Sequence, residues 1–220
     1  MYDRVAGRYE GWSWQEFWRR NERPLITELL AAEPVVRLAL DVGIGTGAYV
    51  PVHRAHSERL VGIDISWGML GVLRHRHPGV SRVVASATGL PFATGSFDRI
   101  VTTRVLSHVQ DPDLFVAEAR RVLTVGGSLI VSDVDPEHDY RVMEFSRLFG
   151  ADHPASLVPY RHGLDDLTAT AQKNGLALTR SARLRFSDLR WRPGPNHLTS
   201  IDRSDRRHVF YLAAFRKTAP

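Results

Sequence analysis

Five short apolar runs alternate with helix-like segments between residues 35 and 134, and this alternation restricts the fold more than any other feature of the sequence. Strands that alternate with helices form βαβ units, whose right-handed connections place the strands parallel in one sheet. The runs are apolar at consecutive positions, as expected of strands that are buried on both faces. The sequence therefore predicts an α/β fold with a doubly wound, mostly parallel sheet. Its first five strands are predicted at residues 35–42, 60–64, 81–85, 97–102 and 128–134.

Helix signals lie between these runs. Ser66 can cap a helix that continues to about residue 76. Asp111 and Pro112 are suited to the N-cap and first position of a helix that ends near residue 123. A shorter helix is predicted over residues 48–56.

The two ends of the chain are less regular. Residues 12–32 are predicted as two short helices, because Pro24 lies inside the segment and proline kinks a helix interior. Beyond residue 135 the alternation weakens, and a polar loop is expected at residues 187–207. The remaining predictions are helices at residues 139–149 and 164–174 and strands at residues 176–186 and 208–216.

Composition excludes several kinds of chemistry. The chain has no cysteine, which rules out a thiolate nucleophile, disulfides and cysteine-ligated metals. It has no stretch of about 18 apolar residues, so no membrane span is expected, and a cytoplasmic location is the default expectation. The formal net charge of +5 would suit an anionic partner, but the arginines are scattered and form no block. A nucleic-acid partner is therefore not favoured.

The most informative segment is LDVGIGTGA at residues 40–48, where a strand leads into a glycine turn that opens a helix. Glycines there permit a tight turn and the close approach of a ligand. Asp64 ends the next predicted strand, where a carboxylate can accept both hydroxyls of a ribose. The pair predicts an adenosine-containing ligand, and a plain strand–helix turn with a capping aspartate is the alternative. Asp41 would repel a pyrophosphate but suits the cationic groups of S-adenosylmethionine, which disfavours a nicotinamide cofactor.

With these residues the sequence resembles the class I S-adenosylmethionine-dependent methyltransferases, in particular the small stand-alone methyltransferase-domain proteins. The segment YDRVAGRYE at residues 2–10 also resembles the N-terminal motif of that family. The resemblance implies a Rossmann-like, seven-stranded sheet with the last strand antiparallel. The other matching segments lie at residues 40–47, 62–70, 85–98 and 106–131, the last of which includes GGSL at 126–129. The block LPFATGSFDRI at 90–100 also favours S-adenosylmethionine over a nicotinamide cofactor.

The resemblance also implies one domain of four parts over the 220 residues. Residues 1–34 would be N-terminal lid helices and residues 35–134 the cofactor-binding core. Residues 135–175 would be an insertion on the substrate side, and residues 176–220 the closing strands.

Roles for individual residues follow from the resemblance as expectations. Residues expected to contact S-adenosylmethionine are Asp41, Gly43 and Gly45 at the methionine part, Asp64 at the ribose, Ile65, Met69, Ser86 and Ala87 around the adenine, and Thr103 near the methyl group. Many relatives carry aspartate where this chain has Ser86, and a hydroxyl accepts a weaker hydrogen bond than a carboxylate does. Adenine recognition is therefore expected to be weaker here.

Methyl transfer from a sulfonium needs a base only where the acceptor atom must lose a proton. His108 follows the fourth strand and is the candidate base, with a structural packing role as the alternative. Tyr9 is expected to close the site from the N-terminal segment.

Three residues are candidates for contact with the acceptor. Trp14 belongs to an aromatic cluster over residues 9–18, which would form either a lid over an apolar acceptor or a stripe that packs on the domain. Arg104 could meet an anionic group or be a plain surface arginine. His138, in DPEHD at residues 135–139, could contact the acceptor. The spacing in that segment matches no known metal site, so no metal is predicted.

The leading interpretation is S-adenosylmethionine-dependent methyl transfer to an oxygen, nitrogen or carbon atom of a small molecule, as a tailoring step in secondary metabolism. The alternatives are an RNA or protein methyltransferase and a non-catalytic S-adenosylmethionine-binding partner subunit. The sequence TTRV at residues 102–105 lacks the Asn/Asp-Pro-Pro-aromatic loop that clamps a flipped base, which argues against nucleic acid. The acceptor and the oligomeric state stay open.

Overall fold

The computed structural model describes residues 2–138, 160–189 and 206–219. In these residues the chain forms a seven-stranded sheet with the order β3-β2-β1-β4-β5-β7-β6. The strands are β1 Val36–Val42, β2 Ser57–Asp64, β3 Ser81–Val84, β4 Phe97–Thr103, β5 Leu123–Val134, β6 Leu176–Arg185 and β7 His208–Lys217. The helices are α1 Ser13–Ala31, α2 Val50–Ala55, α3 Trp67–Arg76, α4 Pro112–Val122 and α5 Leu164–Lys173.

Six strands of this sheet run in one direction and β7 runs against them. The pairs from β3 through β5 are parallel, whereas β7 is antiparallel to both β5 and β6. The predicted doubly wound sheet with an antiparallel last strand is therefore confirmed. The chain leaves β1 toward β2 and β3 and then returns to add β4 on the other side. In such sheets a ligand binds at the carboxyl ends of the strands beside this reversal.

The core has a layer of helices on each face of the sheet. Successive residues of β1 show the division, because Ala39 packs with α2 and α3 whereas Leu40 packs with α4 and α5. Helix α1 packs against β5 and β7 through aromatic and aliphatic side chains, among them Trp18 and Phe210. The predicted caps are also present, since Ser66 accepts from the Met69 N–H.

The prediction of two short N-terminal helices is wrong, because α1 continues from Ser13 to Ala31 with Pro24 inside it. Proline removes one helix hydrogen bond, the one that would reach the carbonyl of residue 20, and that residue is exposed. Phe17 before the proline and Ile26 after it are both buried in the same cluster against the sheet. Burial on both sides of Pro24 therefore holds one continuous helix.

Strand β5 also begins earlier than predicted, at Leu123 and not at residue 128. Residues 125–127 lie inside the strand as an irregularity, where the register with β4 shifts and Gly126 has a φ of 75°. The helix predicted over residues 139–149 and most of the loop predicted over residues 187–207 lie outside the described residues. No helix in the described part of the chain is both long and apolar enough to cross a membrane.

Candidate functional site

A cavity of about 210 Å³ lies at the carboxyl ends of β1, β2 and β4, beside the reversal of the sheet. Every residue that the sequence predicts to bind S-adenosylmethionine lines it: Asp41, Gly43, Gly45, Asp64, Ile65, Met69, Ser86, Ala87 and Thr103. Tyr9, Arg104 and His108 line it as well. The fold thus gathers residues from five separate segments of the sequence around one space.

The glycine turn after β1 requires glycine for a steric reason. Gly43 has a φ of 77°, and a Cβ there would lie 2.2 Å from Cγ2 of Val105. The N–H groups of Gly43 and Ile44 both donate to the carbonyl of Ile63 at the end of β2, at 2.8 and 2.9 Å. These bonds fix the turn against the sheet, so its backbone forms a rigid wall of the cavity.

Asp64 lies at the end of β2 and connects the loop after β1 with the loop after β2. One carboxylate oxygen accepts from the Gly45 N–H at 2.9 Å, and the other accepts from the Ser66 N–H at 2.8 Å. Burial raises the pKa of Asp64 although these two bonds favour the ionised form. Each oxygen retains acceptor capacity for a further donor from the cavity.

Asp41, at the end of β1, is buried beneath the glycine turn. Its carboxylate lies 3.0 Å from Nε2 of His53, a buried residue of α2. Asp41 therefore already has a polar neighbour within the protein, which holds its carboxylate at the cavity wall.

The side of the cavity beyond Asp64 has an open rim. Ile65 is 75% exposed, whereas Met69 is buried beneath it in α3. The Ser86 hydroxyl lies 2.9 Å from the Thr88 hydroxyl and accepts from the Thr88 N–H at 3.2 Å. Ser86 thus stabilises its own turn, which leaves its hydroxyl less free for a ligand than an aspartate would be.

Residues 2–11 cover another side of the cavity and are attached at several points. Asp3 accepts from the Ser66 hydroxyl at 2.8 Å and from the Gly68 N–H at 2.6 Å, next to the start of α3. Tyr9 lines the cavity, and burial raises the pKa of its phenol. The N-terminal segment is therefore part of the site wall.

His108 follows β4 and contacts this segment. Its Nε2 lies 3.1 Å from the Tyr2 hydroxyl, and the two rings meet edge to face. The residue keeps an exposed face, but surrounding protein removes water from the rest of the ring and lowers the pKa of His108. The buried carboxylate of Asp133 opposes this shift. The arrangement favours a neutral imidazole at the cavity, which is the form that accepts a proton.

A buried charged network beside β4 was not predicted from the sequence. Glu22 of α1 is fully buried, and its carboxylate accepts from Arg104, from the Tyr49 hydroxyl and, at 2.7 Å, from the Ser132 hydroxyl. Arg104 is not a plain surface arginine, since its side chain is 16% exposed and ion-paired with Glu22. Trp14, Trp18 and Glu22 recur at a spacing of four residues, so a carboxylate on an aromatic helix face could have indicated this buried pair.

Arg104 also has an unusual backbone. Its φ of 58° makes it the one non-glycine residue with a positive φ in the described parts of the chain. A side chain in this region costs of order 1–3 kcal/mol, and such residues cluster at functional sites. The Arg104 N–H donates to the carbonyl of Ser132 at 2.7 Å, which holds the backbone in place.

Two predicted acceptor contacts lie elsewhere. Trp14 of α1 and His138 do not line the cavity, and both are buried with their rings 5.8 Å apart. Nearby, Asp135, Glu137 and His208 could offer three ligand atoms to a metal ion. The Arg183 guanidinium bonds both oxygens of Asp135 and one of Glu137, which already supplies that group with a cation.

Comparison with known proteins shows similarity to methyltransferases over part of the chain. Residues 40–131 match the family described as methyltransferase domain. The demethylmenaquinone methyltransferase of Renibacterium salmoninarum is 34% identical over 139 residues, which make up 60% of this chain and 56% of that protein. The match thus covers little more than half the length of this relative.

Solved structures share the fold over most of the chain. The geranyl diphosphate C-methyltransferase of Streptomyces coelicolor A3(2) has a TM-score of 0.67 at 15% identity, covering 89% of this chain and 79% of that one. The [4+2]-cyclase SpnF has a TM-score of 0.66 at 19% identity, covering 89% of this chain and 82% of that one. At these identities the likeness establishes the fold alone, and the site residues must indicate the chemistry.

Proposed function

We propose that this chain, a member of the class I S-adenosylmethionine-dependent methyltransferase family, transfers a methyl group to a small-molecule acceptor. The observation that carries the proposal is a single cavity with two kinds of wall. The glycine turn and Asp64 form one wall, and the aromatic residues Tyr9, Trp12 and Trp18 form another, with His108 also on the cavity. A donor and an apolar acceptor could therefore be held in one cavity.

The residues at the first wall fit S-adenosylmethionine. Gly43 and Gly45 present backbone alone to the cavity, so a ligand can approach the main chain closely. Asp64 keeps acceptor capacity on both oxygens, which suits a pair of ribose hydroxyls. Asp41 adds a negative charge, which suits the ammonium and sulfonium groups. We assign the adenine to the space between Ile65, Met69 and the Ser86–Ala87 turn.

When bound, S-adenosylmethionine supplies an electrophilic methyl group on a sulfonium. An acceptor atom held in line with that carbon would take the methyl group, and the carbon–sulfur electron pair would stay with sulfur. The chain has to align the acceptor with the methyl group and exclude water. We assign the alignment to the aromatic wall and to Tyr9. Where the acceptor loses a proton, the neutral imidazole of His108 would accept it, with Tyr2 fixing the orientation of the ring.

The chain segments that cover the cavity favour a small acceptor over RNA or protein. Residues 2–11 and α1 cover the cavity, and an RNA base or protein side chain would have to pass them to reach it. The relative from Renibacterium salmoninarum, by its name, methylates demethylmenaquinone, which is neither RNA nor protein. A tailoring step in secondary metabolism is consistent with this class of acceptor.

The test is methyl transfer from S-adenosylmethionine labelled on its methyl group, with a cell extract of the source organism as the supply of acceptors. The extract is then separated into small-molecule, protein and RNA fractions. We expect label in the small-molecule fraction with the wild-type chain and none with Asp64→Ala. Label in RNA or protein would refute the small-molecule assignment. Cofactor binding without label in any fraction would support a non-catalytic partner subunit.

A further inference from the structure

Only part of the Arg104 guanidinium makes hydrogen bonds within the described residues. Its Nη1 donates to Glu22 and lies 3.4 Å from the Tyr49 hydroxyl. Within the described residues, Nε and Nη2 have no hydrogen-bond partner, and neither atom is enclosed by protein. Because Arg104 lines the cavity, these two N–H groups are available to a molecule bound there.

The free edge has a specific shape. The N–H groups of Nε and Nη2 point the same way along one side of the planar guanidinium and match the two oxygens of a carboxylate. Trp18 and Tyr49 hold the guanidinium, with its Cζ 5.1 and 5.6 Å from their ring centroids. The group is therefore oriented before any ligand arrives, which reduces the entropy lost on binding.

Two contacts hold Arg104 in this position at the expense of backbone strain. The left-handed backbone is fixed by the bond from the Arg104 N–H to Ser132, and the side chain is fixed by the fully buried Glu22. An arginine kept only for its charge needs no positive φ. The strain is explained if the conformation aims the guanidinium into the cavity and not toward solvent.

We propose that Arg104 binds a carboxylate of the acceptor through Nε and Nη2, so that the chain selects planar, apolar acceptors that carry one carboxylate. This rests on the proposed function and names the acceptor class for the same site. A phosphate dianion fits less well, because Glu22 already shares the guanidinium and two more carboxylates, Asp41 and Asp64, line the cavity. The aromatic residues of the cavity wall would cover the apolar body of the acceptor.

The test compares matched aromatic probes by isothermal titration calorimetry, on the chain alone and on the chain loaded with S-adenosylhomocysteine. The probes are 2-naphthoate, its neutral isostere 2-naphthamide, and 2-naphthyl phosphate. We expect 2-naphthoate to bind at least tenfold more tightly than each of the others. Equal binding of naphthoate and naphthamide, tighter binding of the phosphate, or no binding of naphthoate at its solubility limit would overturn the proposal.

Variants separate a binding role from a structural one. Arg104→Asn removes the guanidinium and suits the positive φ, which asparagine tolerates better than most residues. It should abolish the preference for naphthoate, and Arg104→Lys should keep only part of it. Because Arg104→Asn leaves Glu22 buried without its ion-pair partner, the double variant Glu22→Gln/Arg104→Asn is measured beside it and should give the same result.

Glu22→Gln alone gives the sharpest distinction. It removes the negative charge that competes for the guanidinium, so naphthoate should bind several-fold more tightly while naphthamide is unchanged. If Arg104 only anchors α1, the same variant should weaken both probes equally. Loss of S-adenosylhomocysteine binding in Arg104→Asn would instead place the carboxylate of the cofactor on this residue and refute the acceptor assignment.

The outcomes also distinguish this inference from the proposed function. Label transfer into small molecules, with no preference for naphthoate, would leave the methyltransferase proposal intact and remove the carboxylate site. A naphthoate preference that depends on Arg104, without transfer of label to any fraction, would support the carboxylate site and remove the methyltransferase proposal.

Discussion

Replacing Gly43 by alanine tests whether the glycine turn is a sterically fixed wall of the cavity. The added Cβ would meet Cγ2 of Val105 at 2.2 Å, far inside the contact distance of two carbons, and the residue has a φ of 77°. The left-handed backbone alone costs roughly 1–2 kcal/mol for a residue with a Cβ. Forced overpacking adds about 1–3 kcal/mol. We expect Gly43→Ala to lower the free energy of unfolding by about 2–5 kcal/mol.

The control is a double-mutant cycle with Val105→Ala. Truncating Val105 removes the Cγ2 atom that the new Cβ meets, but it leaves the positive φ of residue 43 unchanged. The double variant should therefore be more stable than the sum of the two single effects by about 1–3 kcal/mol, a coupling usual for residues in contact. The remaining loss should be near the backbone cost alone.

Urea unfolding of the four proteins measures the cycle, and calorimetry with S-adenosylhomocysteine measures the cavity. Gly43→Ala should also weaken cofactor binding, because relief of the clash displaces the turn that carries Gly45. Val105→Ala in the same background should restore part of that affinity. Additive unfolding energies would refute the reasoning, since they would mean that Val105 does not restrict residue 43.

Three further predictions concern the site. Asp64→Ala should reduce S-adenosylhomocysteine affinity by about 2 kcal/mol, because charge-assisted hydrogen bonds to ribose hydroxyls are lost, and unchanged affinity by calorimetry would remove the ribose assignment. Tyr9→Phe should slow label transfer while cofactor binding persists, and a variant with wild-type rate would contradict the closing role of Tyr9. For an acceptor that loses a proton, the rate should rise with pH with a midpoint below pH 6.5, the usual pKa of histidine, because the pKa of His108 is lowered and its neutral form is the base. His108→Gln should remove this dependence on pH, and a profile that titrates above pH 6.5 would contradict it.

The parts of the fold that the sequence predicted are those with a local signal. Strand β4 extends one residue beyond its predicted end, and α3 begins directly after its predicted cap, Ser66. The break at Pro24 was a local signal too, but the packing of α1 on the sheet overrode it. Tertiary burial of this kind cannot be seen in a propensity or in a single proline.

The candidate site also has residues that the sequence could place and residues that it could not. The residues around the glycine turn and Asp64 could be placed because parallel strands bring their carboxyl ends to one edge. The helix spacing could have indicated that Glu22 is buried, but not its partners, because Tyr49, Arg104 and Ser132 come from three distant segments of the chain. Only the arrival of α1 on the sheet brings these groups together.

The position of Arg104 shows why this difference matters for function. A β4 end that carries a histidine and an arginine predicts a polar acceptor side but not which atoms are free. In the structure, Glu22 occupies Nη1 and leaves Nε and Nη2, the two atoms that we propose bind the acceptor. The residue that sets the proposed specificity is thus one that would never touch the acceptor. A change at Glu22 should alter acceptor choice while the residues around the glycine turn stay the same, so acceptor specificity in this chain can vary independently of cofactor binding.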